Sequence, residues 1–218
     1  METKKRNIIT VVITYAFALV VLLGIGWVNR AVDNFSFVPR LILVTVAWWP
    51  MLIATIFFMR RDKEGLKDIG FTKEKILIQI LLGVLVAAGS LLIFIVIPAL
   101  FGIMLGYVGN LNVLSIVLNF VYILLSVALV EEIIFRGHLF KKLLDIKGSM
   151  WFAIILSSVL FGFFHIFNWS IWQIIITTVM GIYWCTCRLK LKHCTLLTLI
   201  IAHALHNALL PVITAVMF

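Results

Sequence analysis

Residues 8–28 read IITVVITYAFALVVLLGIGWV, an unbroken run of 21 residues without a charged side chain. Coiled as an α-helix that rises about 1.5 Å per residue, this run is long enough to cross the roughly 30 Å hydrocarbon core of a membrane. Similar runs recur along the chain, and none shows the alternation of apolar and polar residues that marks the strands of a membrane barrel. The sequence therefore predicts an all-α membrane protein.

Seven apolar runs can be bounded in the sequence, each long enough for a transmembrane helix. They cover residues 8–28, 41–59, 76–97, 113–130, 150–167, 171–187 and 195–217. Because 64% of the 218 residues are hydrophobic, a soluble domain of this size could not bury its apolar surface, and we expect the lipid bilayer to cover the rest. We predict one membrane domain over residues 1–218, a polytopic bundle of about seven transmembrane helices.

The third run continues past Pro98 through Gly102, Gly106 and Gly109. Since proline removes a backbone donor and glycine weakens a helix, we predict that this helix bends or unwinds before Asn110.

The basic residues lie in short segments between the apolar runs and fall almost entirely on one side of the predicted bundle. If the chain crosses the membrane seven times, sixteen of the eighteen Lys and Arg residues share the side of Lys4, Lys5 and Arg6, and only Arg30 and Arg40 lie on the other. Short basic segments mark the cytoplasmic side. We therefore predict a cytoplasmic N-terminus, and we attribute the net charge of +9 to topology rather than to a nucleic-acid partner.

Ionisable side chains are rare within the apolar runs, and each one needs a partner or a function because its burial in lipid is costly. An antiparallel turn centred near Gly148 would bring Glu131 and His165 to the same depth, since each lies 17 residues from that glycine. A third helix reaches a similar depth, about 16–23 Å from its basic end by helical rise. The candidates on these three helices are Glu131, Glu132, Arg136, His138, His165, His203, His206 and the amide Asn207.

Spacing within the helices indicates which of these groups act together. Glu132 and Arg136 are four residues apart and can form an ion pair, whereas Glu131 lies about 100° round the helix from Glu132 and is free to point elsewhere. His203 and Asn207 are also four residues apart and share one face. A carboxylate beside an imidazole can activate a water molecule, and a second imidazole with a carboxamide can stabilise an oxyanion. The set therefore suits amide hydrolysis.

Three segments resemble the motifs of a known protein family. Residues 131–137 read EEIIFRG, residues 161–165 read FGFFH and residues 203–207 read HALHN. In this order they resemble the EExxxR, FxxxH and HxxxN motifs of the CPBP family, which comprises type II CAAX prenyl endopeptidases and bacteriocin-processing or immunity proteins. The resemblance covers about residues 110–210, and the first three runs are similar only in general character.

The resemblance implies an all-helical intramembrane endopeptidase that cleaves a membrane-associated or lipidated peptide. Its expected partners are the bilayer and a peptide or membrane-protein substrate, with or without a prenyl group. A short chain of this type, without a soluble appendage, is expected in the bacterial cell membrane as a multi-pass protein. The roles implied for this chain are water activation by Glu131 and His165, an oxyanion hole from His203 and Asn207, and support by Glu132 and Arg136.

Metal dependence is left open by the sequence, because the family has been described both as metal-dependent and as a glutamate protease that needs no metal. Glu131, His165 and His203 could supply three zinc ligands with a fourth position open for water. The sequence contains no HExxH pattern. Zinc is therefore one alternative, and metal-free hydrolysis is the other.

Two non-proteolytic functions also fit the intramembrane polar residues. A bacteriocin-immunity or scaffolding protein of the same fold would bind a partner in the membrane, and a transporter or proton-conducting protein would use Glu and His along an ion path. His138 and His206 occupy no motif position, and we expect them to be packing or interfacial residues.

Overall fold

The computed structural model describes residues 2–103 and 112–218, and the seven long elements in those ranges are all helices. A short 3-10 turn, Ile166–Asn168, follows the fifth helix. No β-strand occurs in the described ranges, so the predicted all-α fold is confirmed. The helices are α1 Glu2–Ala31, α2 Phe37–Arg61, α3 Ile76–Leu100, α4 Val113–Lys147, α5 Met150–Phe164, α6 Ile171–Lys190 and α7 Leu196–Met217.

Six of these helices, all except α6, are apolar and long enough to cross a membrane, α5 together with the 3-10 turn. The helix α6 has 20 residues, which is also a spanning length. The outer faces of the bundle expose large apolar side chains such as Val20, Phe57 and Leu85. Lipid accommodates such a surface, whereas water does not. The protein is therefore an integral multi-pass membrane protein, and the prediction of about seven membrane helices is confirmed.

The helix α4 continues far beyond its apolar run and turns back at Gly148. This glycine has φ +67° and ends the helix in the left-handed conformation that glycine adopts most easily. The Ser149 hydroxyl then caps α5 by accepting a hydrogen bond from the Phe152 N–H group at 3.3 Å. The predicted turn near Gly148 is thus confirmed, and it sets the EEIIFRG and FGFFH segments side by side.

Wide π-helical turns interrupt the regular geometry of α3 and α4. They lie at Leu92–Val96 in α3 and at Leu124–Ala128 and Glu132–Leu139 in α4. Such turns insert an extra residue, and they often occur at functional sites. The third one contains most of the EEIIFRG segment. The helix α3 ends at Leu100, and the unwinding predicted before Asn110 lies outside the described residues.

Small residues allow close packing around the motif-bearing helices. A Cβ atom added to Gly162 of α5 would lie 1.9 Å from the Thr178 hydroxyl of α6, and one on Gly181 would lie 2.9 Å from Cβ of Ser158. Gly83 of α3 lies equally close to α7. More of α7 is buried within the bundle than of any other of the six apolar helices. The polar face of α7 is therefore held inside the protein.

Candidate active site

Glu132 forms the centre of a buried polar network between α4 and α7. Its Oε1 atom accepts a hydrogen bond from Arg136 Nη1 at 2.9 Å and lies 2.9 Å from His203 Nδ1. All three side chains are almost completely buried. The predicted Glu132–Arg136 ion pair is confirmed, and its extension to His203 is a feature that spacing along one helix could not indicate. A carboxylate at Nδ1 orients the imidazole so that Nε2 is the ring nitrogen left for chemistry.

Glu131 faces that second nitrogen of His203. The distance from its Oε2 atom to His203 Nε2 is 3.8 Å, which is longer than a direct hydrogen bond. The Oε2 atom is buried and has no hydrogen-bond partner among the described groups. Such an atom is costly unless something polar reaches it. The two neighbouring glutamates therefore lie against different nitrogens of one imidazole, Glu132 through a bonded Oε1 atom and Glu131 at a distance longer than a hydrogen bond.

Aromatic rings complete the surroundings of this network. The Arg136 guanidinium lies over the Phe161 ring, 3.9 Å from its centroid, and 5.1 Å from the Trp184 centroid. The His203 ring lies 4.8 Å from that of Trp184. These contacts stabilise a cation whose Nε and Nη2 atoms have no hydrogen-bond partner in the described structure. Phe161, the first residue of the FxxxH segment, thus supports the residue that holds Glu132.

His165 directly follows the last residue of α5, and one of its ring nitrogens is available as a hydrogen-bond acceptor. Its Nδ1 atom lies 3.0 Å from the Phe161 carbonyl oxygen. Because a carbonyl can only accept, Nδ1 carries the proton and Nε2 has a free lone pair. No oxygen of Glu131 lies within 4.0 Å of a His165 ring nitrogen. The imidazole found within 4.0 Å of Glu131 is therefore that of His203, and joint water activation by Glu131 and His165 stays a prediction.

A cavity of about 1170 Å³ adjoins these groups. Three of the predicted site residues line it, namely His165, His203 and Asn207, whereas Glu131 does not. The structure thus brings three predicted residues to the cavity wall, and Glu131 lies beside one of them, His203. A space of this size accepts a peptide segment or a drug-sized ligand.

His206 also lines the cavity, although no motif indicated it. Its Nδ1 atom lies 3.0 Å from the Ser90 hydroxyl, which itself donates to the Ala87 carbonyl. The hydroxyl therefore accepts from Nδ1–H, and Nε2 is the nitrogen left for other contacts. From the sequence we expected a packing or interfacial residue; the side chain is buried, and it is also part of the cavity wall.

Arg188 is a second residue of this region that the sequence analysis missed. Its Nη1 atom donates to the Arg136 carbonyl, and its Nη2 atom donates to the Ile69 carbonyl at 2.8 Å. Within wide helical turns, backbone carbonyls lose their regular partners and become available to side chains. In the sequence Arg188 appeared only as one of the basic residues that mark topology, so nothing distinguished it.

The zinc ligand set considered from the sequence does not form a cluster in this structure. Among the described residues, no three His, Cys, Asp or Glu side chains come together as ligands of one metal ion. The Glu131 Oε2 atom lies 3.8 Å from His203 Nε2, and no oxygen of Glu131 lies within 4.0 Å of a His165 ring nitrogen. The residues present therefore do not fit a three-ligand metal centre, and no step proposed below passes through a metal.

Comparison with known proteins gives one result for this region. Residues 112–209 match the model of a family described as type II CAAX prenyl endopeptidase Rce1-like. The matched segment contains all three motifs and agrees with the predicted range of about 110–210, so the resemblance to the CPBP family is confirmed. No curated protein and no solved structure matches the chain.

Proposed function

Because residues 112–209 match the Rce1-like endopeptidase family, we propose that this protein is an intramembrane endopeptidase. It hydrolyses a peptide bond of a membrane-associated or lipidated peptide. The observation that carries this proposal is the buried Oε2 atom of Glu131, 3.8 Å from His203 Nε2 and without a hydrogen-bond partner in the described structure. A cavity lined by His165, His203 and Asn207 adjoins this pair.

The geometry supports water activation by Glu131. A water molecule can lie about 2.8 Å from Glu131 Oε2, since this buried atom has no hydrogen-bond partner in the described structure. In the proposed reaction, Glu131 removes a proton as the water oxygen attacks the carbonyl carbon of the substrate. The free Nε2 atom of His165 is the second acceptor for this water when the substrate fills the cavity.

The oxyanion that forms in this step is assigned to α7. Since Nδ1–H of His203 is held by Glu132, the imidazolium form presents Nε2–H to the oxyanion, and the Asn207 amide supplies a second donor from the next turn. The carbon–nitrogen bond then breaks, and the leaving amine takes the proton that Glu131 received. Glu132 and Arg136 keep His203 in position throughout.

The proposal is tested with purified protein in proteoliposomes and a pair of peptides that differ only in a prenyl group. Mass spectrometry identifies the products with and without a chelator. Loss of the general base through Glu131→Gln is expected to lower the rate by about 10²–10⁴-fold, and His165→Ala by about 10²-fold. Glu74→Gln, the same exchange in an exposed connection, is the matched control and keeps full activity.

Cleavage that persists in both variants would refute the endopeptidase proposal. If both variants instead keep protection against a bacteriocin, the protein acts by binding, and proton flux in the same proteoliposomes would indicate a transporter. If a chelator abolishes cleavage, only the metal-free character of the reaction is refuted. The endopeptidase proposal stands in that case, because cleavage still depends on Glu131.

A further inference from the structure

The cavity is built from one end of the bundle. Most of its lining residues lie in the halves of the helices that are farther from the basic segments of the chain, and Trp184 and His203 are the deepest exceptions. In α3 and α5 the lining residues are near the C-terminal end, in α4 in the N-terminal half, in α6 from the N-terminal half to Trp184, and in α7 around and beyond the middle. They include Phe94, Pro98, Asn119, Tyr122, Gln173, Thr177, Asn207 and Leu210. The opposite ends carry Lys73, Lys75, Lys141, Lys147, Lys190 and Lys192.

The end of the bundle that carries these lysines, called here the basic face, is closed beneath the site. Ile69 is 1% exposed, and a Cβ atom on Gly137 would lie 3.0 Å from it. Arg188 holds the Ile69 carbonyl, and the Leu196 N–H group donates to the Gly70 carbonyl at 3.1 Å. The connection between α2 and α3 is thereby fixed against α4 at Gly137 and across the neighbouring ends of α6 and α7. A peptide cannot reach Glu131 from this side without displacing it.

Among the described residues, those at the opposite end of the cavity are uncharged. Phe101 and Trp172 line it and are highly exposed. Among the described lining residues there is no Lys, Arg, Asp or Glu. A charged substrate group would therefore lose its hydration without gaining a counter-ion. Asn119 and Gln173 supply amides from two facing helices, and amides suit hydrogen bonding to a peptide backbone.

We propose that the site is entered from the face opposite the basic face, which the positive-inside rule makes the non-cytoplasmic side of the membrane. The substrate is then an exported, membrane-bound peptide that offers an uncharged segment to the cavity. A cytoplasmic peptide would meet the closed side. The assignment of substrate class rests on the proposed endopeptidase function, whereas the direction of access does not.

Access is measured by cysteine labelling of the full chain. Thr177→Cys places a thiol of nearly the same size at the cavity wall, and Lys192→Cys places one on the basic face. A charged, membrane-impermeant maleimide is applied to intact bacterial cells and, separately, to inverted membrane vesicles. The parent chain gives the background, since Cys185 and Cys194 are buried and Cys187 is half-buried.

Thiols at position 177 are expected to react in intact cells and to be protected in inverted vesicles, with the reverse pattern at position 192. Phe101→Cys, at the highly exposed rim, is expected to follow position 177 and does not depend on tolerance of a change inside the cavity. Reaction of positions 177 and 101 from the same side as position 192 would overturn the proposal. The proposal would also be overturned if position 177 reacted from neither side of the membrane, or if position 192 reacted from outside the cell.

The labelling experiment tests the access route, and the cleavage assay tests the endopeptidase proposal, so that either proposal can fail without the other. The combination of Thr177→Cys with Glu131→Gln is expected to label normally although its cleavage rate is about 10²–10⁴-fold lower. If the inactive variant labels as expected and no peptide is ever cleaved, the endopeptidase proposal fails and the access route stands. The substrate class is tested with two exported peptides that differ by one lysine at the cleavage site, and the lysine is expected to reduce kcat/KM at least about tenfold.

Discussion

His203 lies between two adjacent glutamates that have different roles. Glu132 holds Nδ1 of the imidazole at 2.9 Å and also binds Arg136. Glu131 stands 3.8 Å from Nε2, and its buried Oε2 atom has no hydrogen-bond partner in the described structure. A carboxylate that pairs with a buried cation through one oxygen, as Glu132 does through Oε1, stabilises the fold, whereas one without such a pair costs stability and is available for a reaction. The EE pair thus combines a supporting residue with a reacting one.

This division of roles predicts opposite effects of the same substitution on stability. Glu132→Gln leaves Arg136 buried without its counter-charge and is expected to destabilise the protein by about 3–5 kcal/mol. Glu131→Gln removes an unpaired buried charge and is expected to change stability by less than about 1 kcal/mol, or to increase it, while it abolishes cleavage. Thermal unfolding of both variants in detergent measures the difference. Equal melting temperatures of Glu132→Gln and Glu131→Gln would contradict the assignment of a supporting role to Glu132 and a reacting role to Glu131.

Arg188 positions the network from the backbone side, because it binds the carbonyl oxygen of Arg136 and that of Ile69. Arg188→Met loses both charge-assisted hydrogen bonds and is expected to lower kcat about 10- to 100-fold, the equivalent of one such bond. KM should change little, since Arg188 does not line the cavity. Arg188→Lys can restore one of the two bonds and should recover part of the rate. Equal loss in both variants would indicate a structural role only.

At the scale of elements, the position of His165 depends on the contact between α5 and α6. His165 follows Gly162 by three residues, and at Gly162 the two helices approach within the space that a methyl group would need. The hydroxyl of Thr178 and the carbonyl oxygen of Ile174 occupy that space. The glycine of the FGFFH segment therefore fixes how closely the end of α5, next to the imidazole, approaches α6.

Gly162→Ala is expected to separate α5 from α6 and to lower both stability and activity. The added Cβ atom would lie 2.7 Å from the Ile174 carbonyl oxygen, and a backbone atom in a helix cannot move aside easily. A loss of about 1–3 kcal/mol is typical of such overpacking. Gly24→Ala in α1 is the control, because nothing lies within 4 Å of its Cβ position and alanine favours a helix. Melting temperature and kcat/KM of both variants give the comparison.

For the whole molecule, features that depend on local sequence were predictable, and features that depend on contacts between helices were not. Apolar length and the glycine at position 148 predicted the helices and the α4–α5 hairpin. Four-residue spacing predicted the Glu132–Arg136 pair. The sequence could not indicate that Glu132 also binds His203, which lies 71 residues away, or that Arg188 reaches a backbone carbonyl. These contacts follow from the rotation of α4 about its axis, which the wide turns alter.

A second buried ionic network joins distant parts of the bundle at the basic face. Lys142 of α4 is 1% exposed, and its Nζ atom donates to Asp62 at 2.5 Å and to Glu64 at 2.9 Å. Asp62 also pairs with Arg61 at 3.2 Å and with Arg6 of α1 at 3.7 Å. The network therefore connects α1, the connection after α2, and the helix that carries the EEIIFRG segment.

This network predicts how the stability of the molecule responds to acid. Burial acts to raise the pKa of Asp62, but hydrogen bonds from Lys142 and Arg61, with the attraction of their charges, outweigh it and lower the pKa below its usual value of 3.8. A carboxyl group with a lowered pKa stabilises the folded state above its usual pKa, and this contribution is lost as the pH falls through the lowered value. Asp62→Asn is expected to reduce stability at neutral pH.

The melting temperatures of the Asp62→Asn variant and the parent protein should therefore approach each other in acid. Melting temperatures measured from pH 7 to pH 3 should differ most at neutral pH and approach each other below about pH 3.8. Asp33→Asn is the matched control, because Asp33 pairs with Arg40 at 2.8 Å in an exposed position, where an ion pair contributes little. A constant difference between Asp62→Asn and the parent protein across this range would mean that shape, rather than the charge of Asp62, holds α1 and α4 together.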